Sequence, residues 1–121
     1  MFRIELDQVG NGLTIHYAGH VSPDETGRCS EEIQVALAKM QPGFRLLVNL
    51  SELRSMDPSC SAHLGSIMEM CDTSGVSEVV RIIPDPRCDI GLQILSYFHY
   101  RSEVRIVTCS TVAEALNVMK E

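Results

Sequence analysis

The sequence lacks the motifs that mark several classes of protein. It has no tryptophan and only 5% aromatic residues, and it contains neither a P-loop nor a GxGxxG pattern, the glycine-rich signatures of phosphate and dinucleotide sites. No apolar run approaches the roughly 18 residues that a membrane-spanning helix needs. Glu5 stands inside the first apolar stretch, which does not fit a signal peptide. We therefore expect a cytoplasmic protein without a membrane span.

A basic surface is also missing. The chain has 16 acidic residues against 10 Lys and Arg, a formal net charge of -6, and no block of basic residues offsets this balance. Proteins that bind nucleic acid neutralise its phosphates with a basic face, so we expect no direct contact with nucleic acid. The negative charge instead favours a protein partner with a basic surface.

The cysteines form no recognisable metal or disulfide pattern. Their number is odd and no two are spaced as CxxC, the spacing typical of zinc sites. Three of them fall on the apolar faces of predicted helices, as a small buried hydrophobic residue would in a reducing compartment. We expect no metal and no cofactor. The five cysteines are Cys29, Cys60, Cys71, Cys88 and Cys109.

The first part of the chain predicts a β-hairpin followed by a helix. Segments 2–6 and 13–18 alternate apolar with polar residues around Gly10-Asn11-Gly12, a strong turn signal. Ser22, Pro23 and Glu25 then provide the cap, the proline and the acid of a helix start. The apolar stripe of this helix is Cys29, Ile33, Ala36, Leu37 and Met40.

The rest of the chain alternates strands and helices. Residues 44–50 are nearly all apolar, which is typical of a central strand covered on both faces. A short polar turn and a helix over 59–73 follow, with Cys60, Leu64, Ile67, Met68 and Cys71 on its apolar face. Next come a strand over 79–83, a helix over 87–98 and a strand over 104–107. A capping box at Thr111–Glu114 opens a last helix that is predicted to bury Val112, Ala115, Leu116 and Met119.

This order, ββαβαβαβα, predicts one α/β domain over residues 1–121. Strands that alternate with helices favour parallel βαβ crossovers, with the hairpin as an antiparallel edge. The helices should cover the sheet, and 44–50 should be an interior strand.

The junction between that strand and the helix over 59–73 is the strongest functional candidate. Asp57 before Pro58 is an ordinary helix cap. Ser59 should occupy the second helical position, with its hydroxyl near free backbone N–H groups. In open α/β sheets ligands bind at the carboxyl ends of strands, and a helix N-terminus tolerates an anion. The serine is therefore a plausible carrier of a phosphate.

The arrangement resembles the STAS domain, the family of sulphate transporter and anti-sigma-factor antagonist domains, over nearly the whole chain. Met56-Asp57-Pro58-Ser59 stands where the family has an apolar residue, an aspartate and two small hydroxylic residues. Pro58 replaces the first small residue, and 60–63 replaces a glycine-rich stretch. The other matching segments are Gly19-His20-Val21, Leu47–Leu53, Val107-Thr108 and Ala113-Glu114-Ala115-Leu116.

The resemblance implies a non-enzymatic, cytoplasmic regulator that binds a partner protein, an anti-sigma factor or a kinase-like protein. By that alignment Ser59 is the phosphoacceptor. The partner-binding residues are Asp57, Pro58, Ser59, Cys60 and His63.

Two alternatives stay open from the sequence. One is a STAS module that binds a nucleotide or another small molecule in a pocket near the helix start, without phosphorylation. The other is an enzyme that uses Cys60 and His63, although a Cys–His nucleophile pair also needs an orienting group and an oxyanion site.

Overall fold

The computed structural model describes residues 1–84, 99–101 and 103–120. The hairpin strands are β1 (Phe2–Asp7) and β2 (Gly12–Val21), and α1 (Pro23–Leu37) follows them. The central part of the chain forms β3 (Arg45–Met56), a 3-10 turn (Pro58–Cys60), α2 (Ser61–Thr73) and β4 (Glu78–Ile82). The last elements are β5 (Arg105–Cys109) and α3 (Val112–Met119). The helix predicted over 87–98 lies outside the described residues.

The strands form one sheet in the order β1-β2-β3-β4-β5. β1 and β2 pair antiparallel around Asn11, whose positive φ of 52° is the left-handed conformation that such a turn needs. The other three pairings are parallel, and β3 lies between β2 and β4. The predicted α/β fold, with a mostly parallel sheet and a hairpin at its edge, is confirmed.

The polar turn predicted after Leu50 is wrong, because residues 51–56 continue β3. β2 is longer than its alternating apolar pattern indicated, and its end supplies the partner: His20 pairs with Ser55 and Val21 with Met56. Two register shifts in the β2–β3 pairing, each with an extra residue in β3, precede these last pairs, and Gly19 beside the second shift has a φ of +66°. The pairing of the two strands therefore continues up to Met56, the residue before Asp57.

The first two helices pack on one face of the sheet. The whole predicted stripe of α1 is buried, and of the α2 stripe only Leu64 is half-exposed. Apart from Cys60 and Met68, these side chains form one core with strand residues that share a face: Leu13, Ile15, Tyr17, Leu46 and Val79. None of the helices among the described residues is long and apolar enough to cross a membrane.

The last helix lies on the opposite face, over Val80 and Ile82 of β4. The predicted apolar stripe of this helix is wrong in part, because Val112 is 44% and Leu116 54% exposed. The helix instead contacts the sheet through Ala115, which is fully buried, and through the half-buried Val118 and Met119. The small Ala115 side chain lets the backbone approach the strands closely.

An ion-pair network joins three strands beneath the end of α3. Glu78 is buried, and its carboxylate lies 3.6 Å from Arg45 Nε and 3.4 Å from Arg105 Nε. The guanidinium of Arg45 also donates to the carbonyl oxygen of Met119, at 2.5 Å. A cation at a helix C-terminus is favourable to the helix dipole, so Arg45 couples the position of α3 to the sheet.

All four cysteines in the described residues, Cys29, Cys60, Cys71 and Cys109, are buried and unpaired, as predicted for the first three. Burial raises the pKa of Cys29 to about 11 and that of Cys71 to about 12. The hydroxyl of Tyr17 donates to Cys29 Sγ at 3.4 Å. Because the thiolate is the reactive form, these groups should be chemically inert in the folded protein. Cys88 lies outside the described residues.

Adjacent substitutions test which face of α3 is buried. Ala115→Leu should lower the free energy of unfolding by about 1–3 kcal/mol, because the added methyl groups have no room against the sheet. Leu116→Gln should change it by less than about 0.5 kcal/mol, since this side chain is largely in solvent. Urea denaturation of both variants measures the two effects. The reverse order would place Leu116, not Ala115, against the sheet.

Thiol labelling tests the burial of the cysteines. At about pH 8 a thiol-specific reagent should label Cys29, Cys60 and Cys71 slowly in the native protein, because these thiols are shielded from solvent. In urea the same sites should react at once, and peptide mass spectrometry assigns each of them. Rapid labelling of Cys60 in the native state would contradict its position in the core.

Candidate functional site

The junction between β3 and α2 continues directly from the paired ends of two strands. Val21 and Met56 are the last paired residues of β2 and β3. The backbone N–H of Asp57 then donates to the carbonyl oxygen of Val21 at 3.1 Å. The position of Asp57 is thus fixed by the sheet, at the carboxyl ends of parallel strands where α/β proteins place their binding sites.

Asp57 caps the turn that carries Ser59. Its Oδ1 accepts the backbone N–H of Ser59 at 2.9 Å and the Ser59 hydroxyl at 2.7 Å. Pro58 occupies the first position of the turn, where its fixed φ and missing N–H are favourable. The predicted cap is confirmed.

Ser59 differs in one respect from its predicted setting. It lies in a 3-10 turn rather than at the second position of α2, which begins at Ser61. Its hydroxyl donates to the Asp57 carboxylate, whereas the sequence predicted a hydroxyl near free backbone N–H groups. The oxygen lone pairs are therefore the part of the hydroxyl that remains for an approaching group.

The electrostatics of the junction centre on the Asp57 carboxylate. The hydrogen bond from the Ser59 hydroxyl, the one from the Ser59 backbone and the proximity of the His20 side chain hold the pKa of Asp57 below its usual range. His20 lies at the same carboxyl end of the strands, where its Nδ1 is 2.7 Å from Ser55 Oγ. Asp57 is exposed and carries a full negative charge at neutral pH.

The predicted site residues separate into an exposed and a packed group. Asp57, Pro58 and Ser59 are exposed. Cys60 is fully buried beneath them, with its Sγ 3.6 Å from the carbonyl oxygen of Val21. The side chain of Cys60 is therefore part of the support under the junction and not of its surface.

His63 links the start of α2 to α1. The Thr26 hydroxyl donates to the carbonyl oxygen of Pro23 at 3.0 Å, so it accepts from His63 Nδ1, 2.9 Å away. The imidazole lies over Gly27, where an added Cβ would stand 3.5 Å from the ring. Thr26 is fully buried. Thr26 was not singled out from the sequence, because its partner His63 lies 37 positions away.

This packing bears on the Cys60–His63 hypothesis. The thiol faces the carbonyl oxygen of Val21 and His63 Nδ1 faces the hydroxyl of Thr26, so these two atoms are hydrogen-bonded to other groups and not to each other. In the part of the chain that the structure describes, no three His, Cys, Asp or Glu side chains are grouped as a metal ion would require.

An open hollow of about 490 Å³ lies near the ends of β2 and β3. It is lined by Ala18, Gly19, Ser51, Glu52, Leu53 and Arg54. These residues belong to the two strands and not to the start of α2, where the small-molecule hypothesis places a pocket.

The fold matches solved structures over nearly all of its length, whereas no protein-family model and no curated protein matches the sequence. An uncharacterised protein from Shewanella loihica PV-4 with a SpoIIAA-like fold has a TM-score of 0.72 at 14% identity, over 98% of this chain and 92% of that one. The anti-sigma factor antagonist SpoIIAA in its unphosphorylated form has a TM-score of 0.65 at 17% identity, over 99% and 98% of the two chains.

The phosphorylated form of SpoIIAA, a Bacillus cell fate determinant, also matches, with a TM-score of 0.62 at 16% identity over 98% of both chains. The TM-scores show that the fold is shared. Sequence identities this low do not show a shared function, which has to be argued from the residues of the site. The chain therefore has the STAS fold of SpoIIAA-like anti-sigma-factor antagonists.

Proposed function

We propose that this protein is a regulatory antagonist that binds a partner protein through Asp57, Pro58, Ser59 and the exposed start of α2, and that phosphorylation of Ser59 weakens the complex. The observation that carries this proposal is the exposed Ser59 hydroxyl, held by Asp57 at 2.7 Å at the strand–helix junction. The partner is an anti-sigma factor or a kinase-like protein, the class implied by the shared fold.

Phosphorylation at this position should act on the interface and spare the fold. A phosphate on serine adds about -1.5 to -2 charges at pH 7. The positive end of the helix dipole favours that charge, and Ser59 is exposed, so no buried contact is broken. Against a partner surface without a compensating cation, a like-charge contact can cost several kcal/mol.

Cys60 and His63 contribute to the proposed site by fixing its position. Cys60 packs under the turn against Val21, and His63 joins α2 to Thr26 of α1. A partner that contacts Ser59 therefore meets a surface whose backbone is held from two sides. Such a preorganised surface binds at a lower entropic cost than a mobile loop.

The charge balance favours a partner with a basic surface. The chain carries a net charge of -6, and the junction itself contributes the ionised Asp57. Opposite charges across an interface accelerate encounter and suppress wrong partners. A phosphate added to this acidic surface would alter its charge complementarity with the partner.

The Ser59→Asp variant tests the switch. A pull-down from the native cell should lose the partner that wild type captures, and the affinity of the purified complex should fall more than tenfold, or about 1.4 kcal/mol. The Tm should stay close to that of wild type, because the new anion lies at the favourable end of α2. Ser59→Ala should bind like wild type and resist phosphorylation.

Ser110→Asp is the matched control. Ser110 is exposed and immediately precedes the N-cap of α3, so this variant adds the same charge at another helix start. It should keep the partner. If Ser59→Asp binds as tightly as Ser110→Asp, and native protein carries no phosphate on Ser59 by mass spectrometry, the proposed switch is wrong.

A further inference from the structure

A single carboxylate oxygen holds the turn at the junction. Asp57 Oδ1 accepts both the backbone N–H and the hydroxyl of Ser59. Directly after this turn α2 begins at Ser61, and its N-cap residue Cys60 makes no side-chain cap hydrogen bond. The carboxylate that holds the Ser59 N–H is thus also hydrogen-bonded to the oxygen that would carry the phosphate.

Phosphoryl transfer to Ser59 removes the basis of this contact. The Ser59 Oγ forms a bond to the γ-phosphorus of a nucleoside triphosphate on the kinase, the bond from that phosphorus to the bridging oxygen breaks, and the nucleoside diphosphate leaves with the electron pair. The hydroxyl proton is released. The oxygen that donated to Asp57 at 2.7 Å then has no proton, and it bears a phosphate whose charge repels the carboxylate.

We propose that phosphorylation of Ser59 exchanges the cap of the junction: the phosphate takes over the backbone N–H of Ser59, and the Asp57 carboxylate turns out to solvent. This inference rests on the proposed phosphorylation of Ser59. A phosphate with three acceptor oxygens is a better ligand for this N–H than one carboxylate oxygen. The next two N–H groups, of Cys60 and Ser61, already donate to the carbonyl oxygens of Asp57 and Pro58.

The exchange would place more negative charge against the partner than the phosphate alone does. In the unmodified protein the Asp57 charge is partly satisfied by its two hydrogen bonds from Ser59. After the exchange, the freed carboxylate and the phosphate both face the partner. Asp57 is therefore a positioning residue in one state and a repulsive surface group in the other.

Phosphoserine placed at position 59 by genetic code expansion tests the exchange without the kinase or the partner. In the unmodified full chain, Asp57→Ala should lower the Tm by about 2–4 °C, the usual effect of removing a helix cap. In the phosphoserine protein the same substitution should leave the Tm unchanged or raise it, because the phosphate already accepts the Ser59 N–H and its repulsion with Asp57 is gone.

Thr111→Ala is the control, since Thr111 caps α3 through the N–H of Glu114 at 3.2 Å. It should lower the Tm equally in both forms. An equal loss for Asp57→Ala in both forms would overturn the exchange, and so would a phosphoserine protein that does not fold. None of these results depends on the partner, so they are distinct from a failure of the proposed function.

Carboxyl NMR gives a second measurement. The pKa of Asp57 is held low by its hydrogen bonds from Ser59 in the unmodified protein. If the carboxylate leaves these donors and faces a phosphate, its pKa should rise in the phosphoserine protein. An Asp57 pKa that stays low there would mean that the carboxylate keeps its place as the cap, against the proposal.

Discussion

The parallel pairing between the end of β2 and the end of β3 is the constraint on which the candidate site depends. It runs through Val21 and Met56 and continues in the hydrogen bond from Asp57 to the Val21 carbonyl. Since backbone bonds to a central sheet are among the most stable in a domain, the turn after Met56 has one position. Ser59 is exposed on that turn, and its location is therefore set by the sheet rather than by its own contacts.

A buried layer beneath the turn separates the residues that stabilise the fold from the exposed residues of the proposed switch. Cys60 and Thr26 are fully buried, and His63 bridges the two helices above the core. The exposed residues Asp57, Pro58 and Ser59 contribute little apolar burial, so their charge can change at small cost to the fold. A regulatory site benefits from this division, because a modification that unfolded the protein could not be reversed as a switch.

Periodicity predicted the parts of the fold that depend on one face being buried. The stripes of α1 and α2 and the interior position of β3 follow directly from apolar spacing, and the caps at Ser22, Asp57 and Thr111 follow from local hydrogen bonding. Residues 51–56 escaped prediction because their strand partners in β2 lie more than 30 positions earlier. A polar sequence becomes a strand there only because β2 offers unpaired backbone groups.

The partial error on α3 has a related cause. An apolar stripe on an eight-residue helix can be drawn through two neighbouring faces, and only tertiary contacts decide between them. The close approach at Ala115 and the bond from Arg45 to Met119 select the face. The same limit applied at the candidate site, where the sequence identified Asp57 as a cap but gave no sign that its carboxylate also holds the Ser59 hydroxyl. That one short contact joins the capping carboxylate to the hydroxyl of the proposed phosphoacceptor, so a modification of Ser59 would act on the turn that leads into α2.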